Sequence, residues 1–430
     1  MKKLTIGLIG FGTVGEGFVK ILKDRRKRIK DRAGVDIRIK KICDKDLRRK
    51  RVVKVARSLL TKNPYDIVND PEIDIVVELI GGVHPAKEIL MNALKVGKHI
   101  VTANKALLAE EGRDVFQLAR KRKRHIYFEA SVGAGIPVIK ILQEGVLANR
   151  IDAIYGIING TSNYILSKMS QEHCSFSDAL LEAKKKGFAE SKPRLDIEGI
   201  DSAHKLVILT YLAFGHLLKL NTVYTEGISQ ISLADIKYAH EMNLEIKLLA
   251  IAKKKDKFLE ARIHPTLIPK KHLLASVGSI FNAIFVDADL VGDLLFYGQG
   301  AGQMTAASAV VNDVIGLAKT LNGGGNNLSM TPFREKLAVR RMDDIQSKYY
   351  IRFMAVDKPG VLARIAGVLG KYKISIASVS QKGRRRAKIV PLVMLTHEAS
   401  ERNMRLALDK IYKLAIIREV PVAIRMEREL

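Results

Sequence analysis

The chain opens on a short apolar, β-favouring run, Leu4 to Gly10, that stops at once in the glycine pattern GFGTVG. A strand, a tight glycine turn and then a helix over Glu16 to Lys27 form the phosphate-cradling start of a βαβ nucleotide fold. Ile37 to Cys43, Asp74 to Leu79 and the IVTAN run after His99 read as further buried parallel strands, with a helix over Ala86 to Val96 between the last two. His99 reads as a structural residue at a strand start rather than a base. Glu111 to Arg124 is a charged helix, HIYFEA a strand ending at Glu129, and Ile151 to Ile158 again strand-like. NGTSNYIL opens a helix that Thr161 or Ser162 could cap. The helix Phe176 to Lys186 stops at Gly187.

Beyond Leu206 the pattern changes. A helix over Ile236 to Lys253 and the run LEARIHPTLIP predict α+β structure rather than more βαβ repeats. YGQGAGQMTAASAVVNDVIGLA is a glycine turn leading into a small-residue helix suited to close packing on the nucleotide domain, and Leu321 to Asn327 reads as a flexible linker. After Tyr349 the order βαββαβ predicts a ferredoxin-like unit. The expected architecture is α/β: a Rossmann-type nucleotide-binding domain at 1–130, a central α+β substrate and dimerisation domain at 131–320, a returning segment and linker at 320–348, and a ferredoxin-like domain at 349–430.

Composition adds bounds rather than chemistry. With 430 residues, 47% hydrophobic and 27% charged, the chain has the make-up of a soluble globular protein of two or three domains. Two distant cysteines, Cys43 and Cys174, match no metal or redox spacing, so a reducing, cytoplasmic setting is expected. No membrane segment is read: the apolar run Leu206 to Leu218 is too short and is broken by Thr210, Gly215 and His216. The net charge of +28 would suit a polyanion binder, yet it is spread along the chain, and its clusters (23–32, 45–57, 121–124, 384–388) hold no interleaved aromatics. No nucleic-acid partner is expected.

Chemistry concentrates in one stretch, GFAESKPRLDIEGIDSAHK from Gly187 to Lys205, which packs Glu190, Asp196, Glu198, Asp201, Lys192 and Lys205 ahead of an apolar helix. Asp201 and Lys205 are four apart, so a helix from Ile200 puts them on one face; by itself this is also what an exposed ion pair looks like. In the glycine turn, Gly10, Phe11, Gly12, Thr13, Val14 and Gly15 are the candidate phosphate contacts. Asp44, where the second strand ends, is placed to bind the ribose of NAD, while Lys45, Arg48, Arg49, Lys50 and Arg51 suit the extra phosphate of NADP, so the choice stays open. Thr102 to Lys105 sit at the carboxyl end of a strand, where open α/β sheets bind ligands. Glu129 with the following SVGAGIP turn could hold a hard cation such as sodium, or be an ordinary loop.

Taken together, GFGTVG, VVELIGG, VTANKALLA, EASVGAGIP, NGTSNYIL, AESKPRLDIEGIDSAHKL and GQGAG resemble the homoserine dehydrogenases, and the tail with DKPGVLARIA resembles an ACT regulatory domain. The resemblance spans essentially the whole chain in order, without an aspartate kinase segment. It implies reversible NAD(P)H-dependent reduction of L-aspartate 4-semialdehyde to L-homoserine. It makes Lys205 the proton donor and acceptor with Asp201 beside it, Glu190 the holder of the substrate amino group, and Lys105 a lysine shared between substrate and nicotinamide. Asp196 and Thr161 join the substrate set, and Gly187 and Gly302 the cofactor set. Glu129 with the backbone of Val132, Ala134 and Ile136 matches a sodium site. The tail implies feedback by L-threonine at Asp357, Pro359 and Gly360, and a homodimer or homotetramer.

Two departures stand out: Ser191 and Lys192 follow Glu190 where Ala-Asp is usual, and Gln299 stands where arginine is expected. A catalytically silent amino-acid sensor, or a dehydrogenase of a related amino-acid aldehyde, would share much of this pattern.

Overall fold

A computed structural model describes residues 3–323, 337–381 and 389–427. Most of the expected linker at 321–327 and the basic cluster at 384–388 lie outside the described residues. The described chain forms two compact units, neither continuous in sequence: 3–152, 204–221 and 282–323 in the first, and 153–203, 222–281 and the described part of 337–427 in the second.

In the first unit six parallel strands run in the order Leu60–Thr61, Asp36–Cys43, Lys3–Ile9, Ile75–Glu78, His99–Thr102, Ile126–Tyr127. This is the doubly wound order, with its switch point beside the first strand. Ile75, Val76, Val77, Ile100 and Val101 are fully buried, as central parallel strands require. The helix after the glycine turn is Thr13–Asp24, three residues earlier than its apolar spacing predicts, because Gly12 takes the N-cap. Its Phe18, Val19 and Leu22 share a core with Val310, Val314 and Leu317 of the helix Gln303–Asn322, so the small-residue helix packs on the nucleotide fold as expected. The charged stretch 111–124 continues a shorter helix, Lys105–Glu110, as Gly112–Lys121.

The second unit is built on a long hairpin, Leu244–Lys255 with Phe258–Pro269, in antiparallel register from Lys255↔Phe258 to Leu244↔Pro269. Here the expected helix over Ile236 to Lys253 is corrected. A capping box of Ser232 and Asp235 starts a helix at Leu233 that ends at Glu241, and Asn243 at φ 55° turns the chain. The run LEIKLLAIA then pairs with Phe258–Pro269 on one side and with Ala153–Gly156 on the other. A strand buried on both faces is apolar throughout, so periodicity alone does not separate it from a buried helix.

The C-terminal βαββαβ unit forms as predicted: strand Gln346–Val356, helix Val361–Lys371, strands Ile376–Gln381 and Ile389–Thr396, helix Glu401–Tyr412 and strand Val422–Met426. Its last strand also pairs in parallel with Thr266 and Leu267, making one continuous sheet with the hairpin. Among the described residues no helix is long and apolar enough to cross a membrane.

Candidate functional site

The nucleotide cradle follows from backbone that only glycine tolerates. Gly10 sits at φ 104°, and a Cβ on Gly15 would lie 2.1 Å from the Gly10 carbonyl oxygen, so the helix abuts the turn. Gly12 has open space around it, and no side chain caps the helix it precedes, which leaves N–H groups available to a pyrophosphate. Phe11 is buried, Thr13 exposed and Val14 half-buried. At Gly302 (φ 130°) the helix Gln303–Asn322 starts, and Gln303 Nε2 donates to the Thr13 carbonyl at 3.0 Å, joining the two glycine turns. Gln299, the departure in GQGAG, accepts from Thr305 Oγ1 at 3.2 Å.

Asp44 ends its strand as expected, but its carboxylate is engaged within the chain. Oδ2 accepts the Phe11 N–H at 2.7 Å and Oδ1 the Asp46 N–H at 2.8 Å, while the Arg51 guanidinium lies 3.4 Å away. Arg51 in turn donates to the carbonyls of Phe11, Arg49 and Asp46 and stacks over the Phe11 ring at 4.6 Å. Lys45, Arg48 and Arg49 remain exposed around this strand end.

Lys105 opens the helix Lys105–Glu110 at the strand end the sequence indicated. Its setting depends on Asn104, which the sequence placed at the same strand end, and on Glu78, which sequence reasoning did not single out. Glu78, fully buried, accepts from Thr102 Oγ1 at 2.6 Å and from the Ile80 and Gly81 N–H groups. Burial pushes its carboxyl above the ordinary range, against these hydrogen bonds. Asn104 caps the helix by accepting the Leu107 N–H and donates to the Gly82 carbonyl at 2.6 Å, which pins Lys105 to two neighbouring strand ends.

In the second unit the carboxylates converge on Asn159. Its Nδ2 donates to Asp196 Oδ1 at 2.7 Å and to Asp201 Oδ2 at 2.9 Å. Its Oδ1 accepts the Ser162 N–H, so Asn159 is the N-cap of the helix Gly160–Glu172. The expected caps, Thr161 and Ser162, lie inside that helix and instead hold the charged stretch: Thr161 Oγ1 donates to the Phe188 carbonyl at 2.6 Å, just after Gly187, and Ser162 Oγ to the Asp196 carbonyl at 2.8 Å. Asp201 and Lys205 lie one turn apart on Ile200–Phe214, a helix apolar almost all round, and are 6% and 7% exposed, which excludes an ordinary surface ion pair. Glu190 and Lys192 are exposed on the loop between Gly187 and the short helix Arg194–Ile197.

Glu129 is 7% exposed and accepts the N–H groups of Ile139 and Lys140 at 2.8 and 2.9 Å. Its own N–H donates to buried Asp313 at 2.8 Å. Burial raises the Glu129 carboxyl to about 7 and lifts Asp313 well above its usual range, the nearby Glu129 adding to the shift. The turn holding Val132, Ala134 and Ile136 puts Ala134 at φ 35°. Both oxygens of this one buried carboxylate already accept backbone N–H groups, and the Ile136 carbonyl accepts the Val138 N–H at 2.8 Å. Among the described residues no group of three or more His, Cys, Asp or Glu is placed to hold a metal ion. In the C-terminal unit Asp357 accepts from Gln381 Nε2 at 3.2 Å, Pro359 is exposed, and Gly360 at φ 82° caps the helix Val361–Lys371.

Comparison with known proteins identifies the family. Family models described as the homoserine dehydrogenase NAD-binding domain, homoserine dehydrogenase and the ACT domain match residues 10–129, 137–315 and 349–415. A homoserine dehydrogenase of Neisseria gonorrhoeae is 44% identical over 99% of both chains. The crystal structure of a homoserine dehydrogenase from Thiobacillus denitrificans superposes with a TM-score of 0.92 at 43% identity, covering 100% of this chain and 99% of that one. A hyperthermophilic archaeal homoserine dehydrogenase in complex with NADPH is 26% identical, with a TM-score of 0.62 over 74% of this chain and 98% of its own. The chain belongs to the homoserine dehydrogenase family, the NAD(P)-dependent oxidoreductases acting on a CH–OH group, and carries a C-terminal ACT domain.

Proposed function

We propose that the chain reversibly reduces L-aspartate 4-semialdehyde to L-homoserine in the cytoplasm, on the route to threonine, methionine and isoleucine. The observation that carries this reading is the Asn159-bridged pair Asp196 and Asp201. It stands at the start of the buried helix that presents Lys205 one turn on. Glu190 holds the substrate ammonium, and Asp196, Asp201 and Thr161 shape the rest of the substrate pocket. The nicotinamide, when bound, supplies hydride to the aldehyde carbon. The ammonium of Lys205 gives its proton to the oxygen as negative charge develops there, and takes it back in the oxidation direction. Lys105 orients the same oxygen beside the nicotinamide, and Asp201 stands one helical turn before Lys205.

Gly10 to Gly15, Gly187 and Gly302 line the cofactor. NADPH is the favoured donor: the Asp44 carboxylate is already used by Phe11, Asp46 and Arg51, and Lys45, Arg48 and Arg49 are exposed to meet a 2′-phosphate. Glu129 and the carbonyls of Val132, Ala134 and Ile136 would hold a sodium ion, which would fix the turn after the nucleotide domain. By sequence the division is 1–130, 131–320 and 349–430, and the middle segment contributes 131–152, 204–221 and 282–320 to the compact unit of the nucleotide fold. The ACT domain binds L-threonine near Asp357 to Gly360 and works in a homodimer or homotetramer. Replacing Lys205 by alanine tests the chemistry: kcat falls by about 10² to 10⁴ while nucleotide binding persists. Near-normal turnover would remove Lys205 from the mechanism.

A further inference from the structure

The segment 224–228 lies between the C-terminal domain and the end of the short helix Arg194–Ile197 that carries Asp196. On one side, Arg425 of the strand Val422–Met426 is 6% exposed and donates to Glu226 Oε2 at 2.6 Å and to the Tyr224 hydroxyl at 3.1 Å. The same guanidinium donates through Nε to Glu401, the first residue of an ACT helix, which also accepts the Tyr349 hydroxyl. On the other side, the Ile228 N–H donates to the Ile197 carbonyl at 3.0 Å, and Gly227 is so close that a Cβ there would lie 2.4 Å from that oxygen and 2.7 Å from Glu198 Cα. Gly199, at φ 81°, packs on Thr225 and Ile263. The segment is anchored below by the Glu226 N–H on the Ile263 carbonyl and by pairing of Tyr224 and Thr225 with Arg262 and Ile263.

We propose that Glu226 and Arg425 are positioning residues for the substrate pocket: their ion pair holds the segment 224–228 under residues 197–199, and so sets Asp196 and Asp201 against Asn159. A shift of the strand Val422–Met426 moves the Arg425 fork, and with it the backbone on which Ile197 rests. Glu226 is part-exposed, but Arg425 is buried and its guanidinium is fixed at the same time by Glu401 and the Tyr224 hydroxyl, so a displacement of the fork is transmitted rather than absorbed. This deepens the proposed function by naming how the ACT domain reaches the substrate.

The test is Glu226→Gln, which keeps shape and removes charge, with Gly227→Ala as a second variant pressing on the same loop from its backbone. Hydrogen exchange of 194–201, which needs no substrate, is expected to quicken in both. In turnover, KM for L-aspartate 4-semialdehyde is expected to rise about tenfold with kcat and the nucleotide KM held within about twofold, the signature of lost positioning. Glu226→Asp should recover part of the loss. Unchanged exchange and unchanged KM in both variants would overturn the proposal, as would a uniform fall of every parameter together with the melting temperature. Wild type that turns over no aldehyde would defeat the proposed function while the exchange readout still decides this one, and threonine insensitivity would defeat only the effector.

Discussion

His99 provides a quantitative test of how burial sets protonation in this fold. It begins the strand His99–Thr102, is 8% exposed, stacks on His125 with centroids 5.3 Å apart, and accepts the His125 N–H on Nδ1 at 3.1 Å. Burial, with smaller contributions from His125 and Arg124, lowers it from 6.5 to about 4. Above pH 6.5 the ring is neutral folded or unfolded, and contributes no pH dependence. As pH falls below 6.5 the unfolded chain takes up the proton first, so stability is lost down to about pH 4. At about 1.4 kcal/mol per unit, the full window is worth about 3 kcal/mol. The perturbation is His99→Asn, which retains an acceptor for the His125 N–H and does not titrate. Urea unfolding of both proteins at several pH values between 7.5 and 4.5 should show the variant less stable at neutral pH and distinctly flatter below 6.5. Some slope remains, because His125 is also lowered, mainly by burial. Equal slopes in wild type and variant would refute the argument.

Other outcomes follow from close approach and buried charge. Gly15→Ala places a Cβ 2.1 Å from the Gly10 oxygen and should raise the nucleotide KM by about tenfold or more with little effect on the aldehyde, read by initial rates. Arg352→Ala strands Asp235, which is fully buried and bonded by Arg352 Nε at 2.7 Å; a cost of about 3–5 kcal/mol is expected by denaturant unfolding, and Asp235→Asn in the same background should restore part of it. For the same reason, deleting the chain after Tyr349 should lower the melting temperature of the remainder rather than yield a merely unregulated enzyme.

Much of the nucleotide half was legible because its determinants are local. The spacing Gly10, Gly12, Gly15 fixes a turn within six residues, and the apolar runs name their own strands. The charged stretch 187–205 and a strand end marked Glu190, Asp201, Lys205 and Lys105, but their roles were reached only through motif resemblance, since charged residues in a loop look alike before they fold. Asn159 was hidden by its surroundings. Its neighbours Thr161 and Ser162 are equally good caps on paper, and only the fold brings it to Asp196 and Asp201, 37 and 42 residues away. The misassigned helix at 236–253 had the same origin, because pairing on both strand edges is not written in an apolar run. Arg425 and Glu226, 199 residues apart, carry no sequence signal at all.

The most direct measurement is oxidation of NADPH, and of NADH in parallel, by the purified chain given L-aspartate 4-semialdehyde. Turnover, faster with NADPH and lowered by L-threonine, is the predicted result. Absence of turnover with both nucleotides, in protein that binds them, would contradict the assignment of Lys205 and its carboxylates to this reaction.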